Sequence, residues 1–247
     1  DLKDEDYINS HYVIMATKKG QVKKTPLEQY SRPRTNGINA ITIKEGDELL
    51  EAKLTTGDSQ VMLAVKSGKA IRFEEEKTRS MGRNASGVRG IRLNSEKDEV
   101  IGMITINESE TDVLVVSENG YGKRSSLEDY RITNRGGKGV KTISVTEKTG
   151  NLVAIKNVTD SDDLMIINKS GIAIRLAVEN LRVMGRATQG VRLIKVRDGD
   201  AIAAVAKVMS DDDDVVLDED GNEIIPKKNE SLDTEVNDSS TIKEEEE

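Results

Sequence analysis

Short apolar runs recur along the chain at nearly even intervals: Tyr12-Val13-Ile14-Met15-Ala16, Val61-Met62-Leu63-Ala64-Val65, Val113-Leu114-Val115-Val116 and Leu164-Met165-Ile166-Ile167. Runs of this length, bounded by turn residues, predict strands. Each leads to a polar-glycine pair, Lys19-Gly20, Ser67-Gly68, Asn119-Gly120 or Ser170-Gly171, with glycines 48, 52 and 51 residues apart. Asn119-Gly120 predicts a type I′ hairpin, and the other three pairs also put glycine where positive φ is needed. A second short strand with cations follows: Val22-Lys23-Lys24, Ile71-Arg72-Phe73, Lys123-Arg124 and Ile174-Arg175. A polar loop then reaches a second glycine, at Gly37, Gly87, Gly139 or Gly190. Three of these loops read Arg-x-x-x-Gly-Val, starting at Arg83, Arg135 and Arg186; the first, from Arg34 to Ile38, is one residue shorter. Two further strands are expected to close each unit, as over 38–43 and 48–54. No segment carries a sustained apolar stripe of helical period.

The chain therefore divides into an acidic N-terminal segment at 1–10, blade repeats at 11–58, 59–110, 111–160 and 161–210, and a tail at 211–247. One four-stranded sheet cannot bury both its faces alone, so a repeat of this length points to radial stacking. The expected fold is all-β, a propeller-like β-pinwheel of four-stranded blades. Consecutive hairpins in a sandwich are the alternative, although sandwich strands need not repeat their sequence.

Charge sharpens this picture. The net charge of −8 conceals a tail with 16 acidic and 3 basic residues joined to a body, 1–210, with 29 acidic and 34 basic. Blocks of like charge are usually disordered and solvated, which is the expectation for the tail. Its sign, opposite to the body's, suggests that it competes for a basic surface. That surface draws on Lys18, Lys19, Lys23, Lys24, Arg32 and Arg34 in the first repeat and Lys69, Arg72, Arg79, Arg83, Arg89 and Arg92 in the second. The third supplies Lys123, Arg124, Arg131, Arg135, Lys138 and Lys141, with Gly136, Gly137 and Gly139 between them; the fourth supplies Arg175, Arg182, Arg186, Arg192 and Lys195. Radial stacking would merge these cations into one band suited to phosphates, giving sequence-tolerant and salt-dependent affinity. The loop glycines would let backbone N–H groups approach phosphate. One Phe, five Tyr and no Trp leave little for stacking single-stranded bases. No recognition helix is visible for the major groove. Duplex DNA, held by its backbone, is the expected partner.

Catalytic patterns are missing. There is no cysteine, and His11 is the single histidine. Residues 135–142 resemble a P-loop superficially, but Val140 stands where the glycine before Lys-Thr is required. Asp218-Glu219-Asp220-Gly221 resembles the start of a calcium loop, with the glycine too early for an EF-hand; 215–225 reads instead as a hairpin. No apolar run approaches the ~20 residues of a membrane span, and no signal-peptide pattern opens the chain. A cytoplasmic location is expected. The start on Asp1 suggests a piece of a longer protein.

Val22-Lys23-Lys24-Thr25, Ser86-Gly87-Val88-Arg89-Gly90-Ile91-Arg92-Leu93, Asn119-Gly120-Tyr121-Gly122-Lys123-Arg124 and Thr188-Gln189-Gly190-Val191 together resemble the C-terminal β-pinwheel domain of DNA gyrase A. The likeness runs over residues 11–210. It implies a disc whose blades exchange a strand with their neighbours and whose basic perimeter wraps DNA with positive writhe. It further implies partners in the remainder of gyrase A and in gyrase B, within a heterotetramer that introduces negative supercoils. By the same resemblance no cofactor belongs to this chain, because ATP and magnesium act elsewhere in such enzymes. The family usually has six repeats, and by the resemblance this chain is expected to begin at the third. The family's Gln-Arg-Arg-Gly-Gly-Lys-Gly box has its nearest match in Thr133-Asn134-Arg135-Gly136-Gly137-Lys138-Gly139, in a later blade and altered at its first two positions. The equivalent, DNA-bending domain of topoisomerase IV is a second reading, and a protein-interaction propeller is a third.

Overall fold

The structure, a computed structural model, describes residues 4–107 and 111–209 and the backbone of two short strands beyond them. It forms two units, Asp1–Ser210 and Asp211–Glu247. The first begins with a helix absent from the sequence expectations, α1 (Glu5–Ser10), capped by the Asp4 carboxylate, which accepts from the N–H groups of Asp6 and Tyr7 at 3.0 and 3.1 Å. At six residues it is too short to show a periodic apolar stripe.

The first repeat supplies three strands and each later one four: β1 (Tyr12–Thr17), β2 (Gln21–Pro26) and β3 (Leu49–Thr55); β4 (Gln60–Val65), β5 (Lys69–Glu74), β6 (Val88–Arg89) and β7 (Val100–Ile106). Next come β8 (Asp112–Ser117), β9 (Tyr121–Ser126), β10 (Val140–Lys141) and β11 (Leu152–Val158), then β12 (Asp162–Asn168), β13 (Ala173–Ala177), β14 (Val191–Arg192) and β15 (Ile202–Met209). Their sheet orders are β3-β1-β2-β6, β10-β5-β4-β7, β11-β8-β9-β14 and β13-β12-β15. Each of the first three sheets is thus completed by a two-residue strand donated by the following repeat, with Val88 opposite Val22, Val140 opposite Ala70 and Val191 opposite Gly122. Strand exchange between neighbouring blades is present, and the fourth sheet has three strands among the described residues. The expected strand over 38–43 does not form, because the corresponding segments pair outside their own repeat.

Three apolar cores lie between successive sheets. Ile14, Ala16 and Val22 meet Val61, Leu63 and Phe73; Met62, Ala64 and Ile104 meet Val113, Val115 and Ile155; Leu114, Val116 and Ala154 meet Leu164, Ile166 and Val205. A central blade is covered on both faces, so β4 and β8 are apolar and buried almost without interruption, whereas β12, in the last blade, alternates buried with half-buried positions. Both patterns follow from the number of covering neighbours.

Gly20, Gly68, Gly120 and Gly171 take the positive φ expected of them, but the Asn119-Gly120 turn is not of type I′. Gly120 donates its N–H to Ser117 O at 3.0 Å and takes φ +79°, while among the described residues no non-glycine has positive φ. This is the three-residue turn closed by a left-handed glycine. The second glycines serve a different need. A Cβ on Gly87 would lie 2.6 Å from Val22 O of the preceding sheet, and Gly139 and Gly190 approach Ala70 O and Gly122 O equally tightly. These glycines let the donated strand close on its acceptor.

The second unit contains β16 (Val216–Leu217) paired antiparallel with β17 (Glu223–Ile224), both within the 215–225 segment read from the sequence as a hairpin. The expectations of a disordered tail, and of its competition for a basic surface, lie otherwise outside the described residues. Among the described residues no helix is long and apolar enough to cross a membrane.

Candidate nucleic-acid interface

The sequence pattern puts the second-strand cations on a solvent-facing rim. The structure places most of them in the joints between blades. Lys23 and Lys123 are fully buried, Lys24 and Arg124 nearly so, and Arg72 is half-buried. Lys23 Nζ donates to Ala40 O and to Arg83 O, both at 2.5 Å, and Lys123 Nζ donates to Gly185 O at 2.6 Å. Lys24 pairs with the buried Glu75 carboxylate at 3.0 Å, at the start of the 3₁₀ turn Glu75–Lys77 of the next repeat. Arg72 Nη1 donates to Leu127 O and Tyr130 O at 2.8 and 3.0 Å, around the turn Leu127–Asp129. Arg124 binds Asp112 Oδ2 and Asp160 Oδ1, each at 2.5 Å, and reaches Val178 O, the first residue of the turn Val178–Asn180. In each joint a cation fastens the turn of the following blade, so its charge is already engaged by protein oxygen. Arg175, on the last blade, pairs with Asp163 at 2.5 Å and remains exposed.

The loop arginines repeat a second device. Arg83, Arg135 and Arg186 donate through Nη1 to Asn39 O, Arg89 O and Lys141 O at 3.0, 3.1 and 2.9 Å. Each acceptor carbonyl belongs to the donated segment of the preceding repeat. Gly136 and Gly137 complete this seam: Gly136 N–H donates to Gly90 O, and Gly137 O accepts from Arg92 N–H. The box-like segment 133–139 is therefore in this chain a joint between adjacent loops. Lys18 pairs with Glu48 at 2.6 Å, and Lys69 reaches Asn94 Oδ1 at 3.3 Å.

Removing the engaged cations leaves a simpler surface. Arg32, Arg79, Arg131 and Arg182 are exposed, each two residues past the end of a 3₁₀ turn. Arg89, Lys141 and Arg192 are exposed at the second position of each donated strand, on the outermost edge of successive sheets. Lys19, Arg34, Arg92, Lys138 and Lys195 are exposed as well. Arg192 stacks 5.4 Å from the Tyr121 ring and donates to its hydroxyl at 2.9 Å, while Lys148 lies 5.3 Å from the same ring. Lys148 escapes the sequence pattern, because it stands outside the repeating positions.

Burial pushes the Lys23 and Lys123 ammonium groups down from the ordinary 10.5 to about 8, helped by the neighbouring Arg83 and Arg186 guanidinium groups. Below pH ~8 both folded and unfolded chains hold these protons, and the cost of the buried charge is carried in full. Between ~8 and ~10.5 the unfolded chain alone keeps them, so stability rises with pH, by at most about 1.4 kcal/mol per pH unit per lysine. A neutral amine still donates the two bonds that Lys23 makes. The second and fourth blades have Ile71 and Ile174 at this register. Urea titrations at neutral and alkaline pH should therefore show a stability gain that shrinks in the double variant Lys23→Ile/Lys123→Ile; an unchanged gain would assign it to other groups.

Comparison with known proteins places this geometry. The family model described as "DNA gyrase C-terminal domain, beta-propeller" matches residues 11–56, 60–107, 111–159 and 162–209. The DNA gyrase A protein of Staphylococcus epidermidis (strain ATCC 12228 / FDA PCI 1200) is 47% identical over 214 residues, covering 86% of this chain and 23% of the relative. The DNA gyrase A protein of Chlamydia pneumoniae is 44% identical over 214 residues, covering 86% and 26%. The chain thus spans about a quarter of the length of these curated relatives. Among solved structures, the C-terminal domain of DNA topoisomerase IV superposes with TM-score 0.78 at 23% identity, covering 83% of this chain and 64% of that one. The DNA gyrase A C-terminal domain superposes with TM-score 0.73 at 24% identity, covering 83% and 68%. At those identities the structures speak to the fold. With four matched repeats, exchanged strands and gyrase relatives in agreement, the chain belongs to the DNA gyrase C-terminal domain family of β-propellers.

Proposed function

We propose that the outer edge of the blades binds duplex DNA through its phosphates and bends or wraps it, as the non-catalytic DNA-binding part of a gyrase A protein. The observation that carries this reading is the exposed cation on each donated strand, Arg89, Lys141 and Arg192, repeated at the outermost position of three successive sheets. A cation at one place in each blade meets a backbone that is itself periodic, and it needs no base-specific contact. The aromatic side chains favour a duplex over single strands, since Phe73, Tyr121 and Tyr130 are buried and Tyr7, Tyr12 and Tyr30 are half-buried. In the whole enzyme the bound duplex would be passed to a cleavage core, with gyrase B supplying ATP hydrolysis in a cytoplasmic heterotetramer. No cofactor is assigned to this chain.

The triple variant Arg89→Gln/Lys141→Gln/Arg192→Gln tests the reading. Fluorescence anisotropy with a duplex should show weaker binding, and the slope of log affinity against log salt should fall by about 2.7. Thermal melting should be almost unchanged, because these side chains lie outside the cores. Unaltered affinity and slope in the triple variant would overturn the proposed interface. Ligation of nicked plasmid in the presence of the domain then separates two modes: positive writhe marks wrapping, and no net change marks the simple bending expected of a topoisomerase IV domain. The gyrase A relatives at 44 and 47% identity favour the first.

A further inference from the structure

The three donated strands carry equivalent edge cations, but the residues that face them across the strand pair differ. Arg89 stands opposite Gln21, Lys141 opposite Lys69 and Arg192 opposite Tyr121. Lys69 is a like charge, and its ammonium group turns to Asn94 Oδ1 at 3.3 Å. Of the three pairs, the last alone joins the cation to its opposite side chain. Arg192 donates to the Tyr121 hydroxyl through Nη2 at 2.9 Å and Nε at 3.3 Å, with its guanidinium 5.4 Å from the ring centre. Tyr121 opens β9 and is only 7% exposed, so its hydroxyl is an acceptor fixed in place.

A hydroxyl orients a guanidinium without neutralising it. Arg124, by contrast, is held by the carboxylates of Asp112 and Asp160. Arg192 therefore keeps its charge and its Nη1 donors on an exposed planar group, which suits paired phosphate oxygens. Three further exposed cations gather around it. Lys148 lies 5.3 Å from the same ring centre, and Lys195 and Arg197 line the same hollow of about 430 Å³. Two carboxylates, Asp198 and Asp200, also line it. Asp200 is already committed to the neighbouring turn, where it accepts from Ser170 Oγ at 2.8 Å and Asn168 Nδ2 at 2.6 Å. An excess of positive charge remains. The counterpart hollow on the first sheet has Arg89 with Gln21 in place of the tyrosine.

We propose that Tyr121 is a positioning residue for Arg192, and that with Lys148 this pair makes the outer end of the third sheet the strongest phosphodiester anchor of the described rim. The inference rests on the duplex-binding reading above and divides its strength unequally among the blades. A preset guanidinium loses less side-chain freedom when phosphate arrives, an advantage of about two- to tenfold in affinity.

Anisotropy titrations of the 247-residue chain with one duplex test this. Arg89→Gln, Lys141→Gln and Arg192→Gln each remove one charge, so each should lower the salt slope by about 0.9. The loss of affinity should nevertheless be about twofold or more greater for Arg192→Gln than for either of the others. Tyr121→Phe keeps the ring and its packing but not the acceptor, so affinity should fall about two- to tenfold at an unchanged salt slope. In the Arg192→Gln background the same substitution should have no further effect, because no guanidinium is left to orient. Lys148→Gln should lower the slope by about 0.9, from a position outside the repeating pattern. Three equal cation losses with Tyr121→Phe silent, or a slope indifferent to Lys148→Gln, would overturn the anchor and leave the interface standing. Three silent cation variants would overturn both. A Tyr121→Phe loss that persists without Arg192 would assign the effect to folding of the edge, and it too would overturn the positioning role.

Discussion

Gly87→Val is expected to lower the stability of the first unit by about 3 kcal/mol or more, combining left-handed backbone strain with a steric block on strand exchange. Gly87 has φ +87°, a conformation that a β-branched residue adopts only under strain, and its built Cβ lies 2.6 Å from Val22 O, 3.0 Å from Val22 C and 3.2 Å from Lys23 Cβ. The acceptor atoms are backbone in the centre of a sheet and cannot retreat. Relief requires the donor to lift away, which breaks the Val22–Val88 pairing and uncovers part of the first core. Gly37→Val is the control. It has nearly the same φ and no neighbour within 4 Å, so only the backbone cost of about 1–2 kcal/mol applies. Urea midpoints of the two variants separate the terms, and equal losses would mean that close approach is not what the glycine provides.

Arg124→Met should cost about 2–3 kcal/mol while leaving the DNA affinity of the folded domain nearly intact. Removing one partner of a buried ion pair costs about 3–5 kcal/mol; the lower figure allows for Asp160, which is 76% exposed and recovers its hydration. Asp112, at 18%, recovers much less, and Val178 O loses a donor. Arg131→Met should behave in the opposite way. It lies on the surface, so its effect on stability stays within about 0.5 kcal/mol, but it removes one cation from the proposed phosphate track and lowers the salt slope by about 0.9. Denaturant unfolding and anisotropy titrations on both variants check the assignment. If Arg124→Met instead weakened DNA binding and spared stability, the division between joint cations and edge cations would be wrong.

That division explains why the repeats were legible and the interface was not. The apolar runs, the turn glycines and the loop glycines recur because every blade solves the same packing problem, and periodicity exposes a shared solution. Cations recur for two different reasons that look alike in one dimension. Arg72 and Arg124 repeat because each joint needs a donor for the carbonyls of the next turn; Arg131 and Arg182 repeat on the outside, where no protein acceptor is required. The spacing between second strand and loop is the same in both cases.

By itself the sequence determined the all-β class, the number of repeats, the glycines at the turns and the opposition of charge between body and tail. Those properties follow from local backbone conformation, from hydrophobic period and from counting, all of which are written along the chain. The tertiary structure alone decided that the third short strand of a repeat pairs with the preceding sheet, that the 38–43 segment forms no strand, and that Lys23, Lys24, Arg72, Lys123 and Arg124 face inward. Pairing partners and the direction of a side chain depend on which neighbour a sheet meets, and that is settled only when the blades pack.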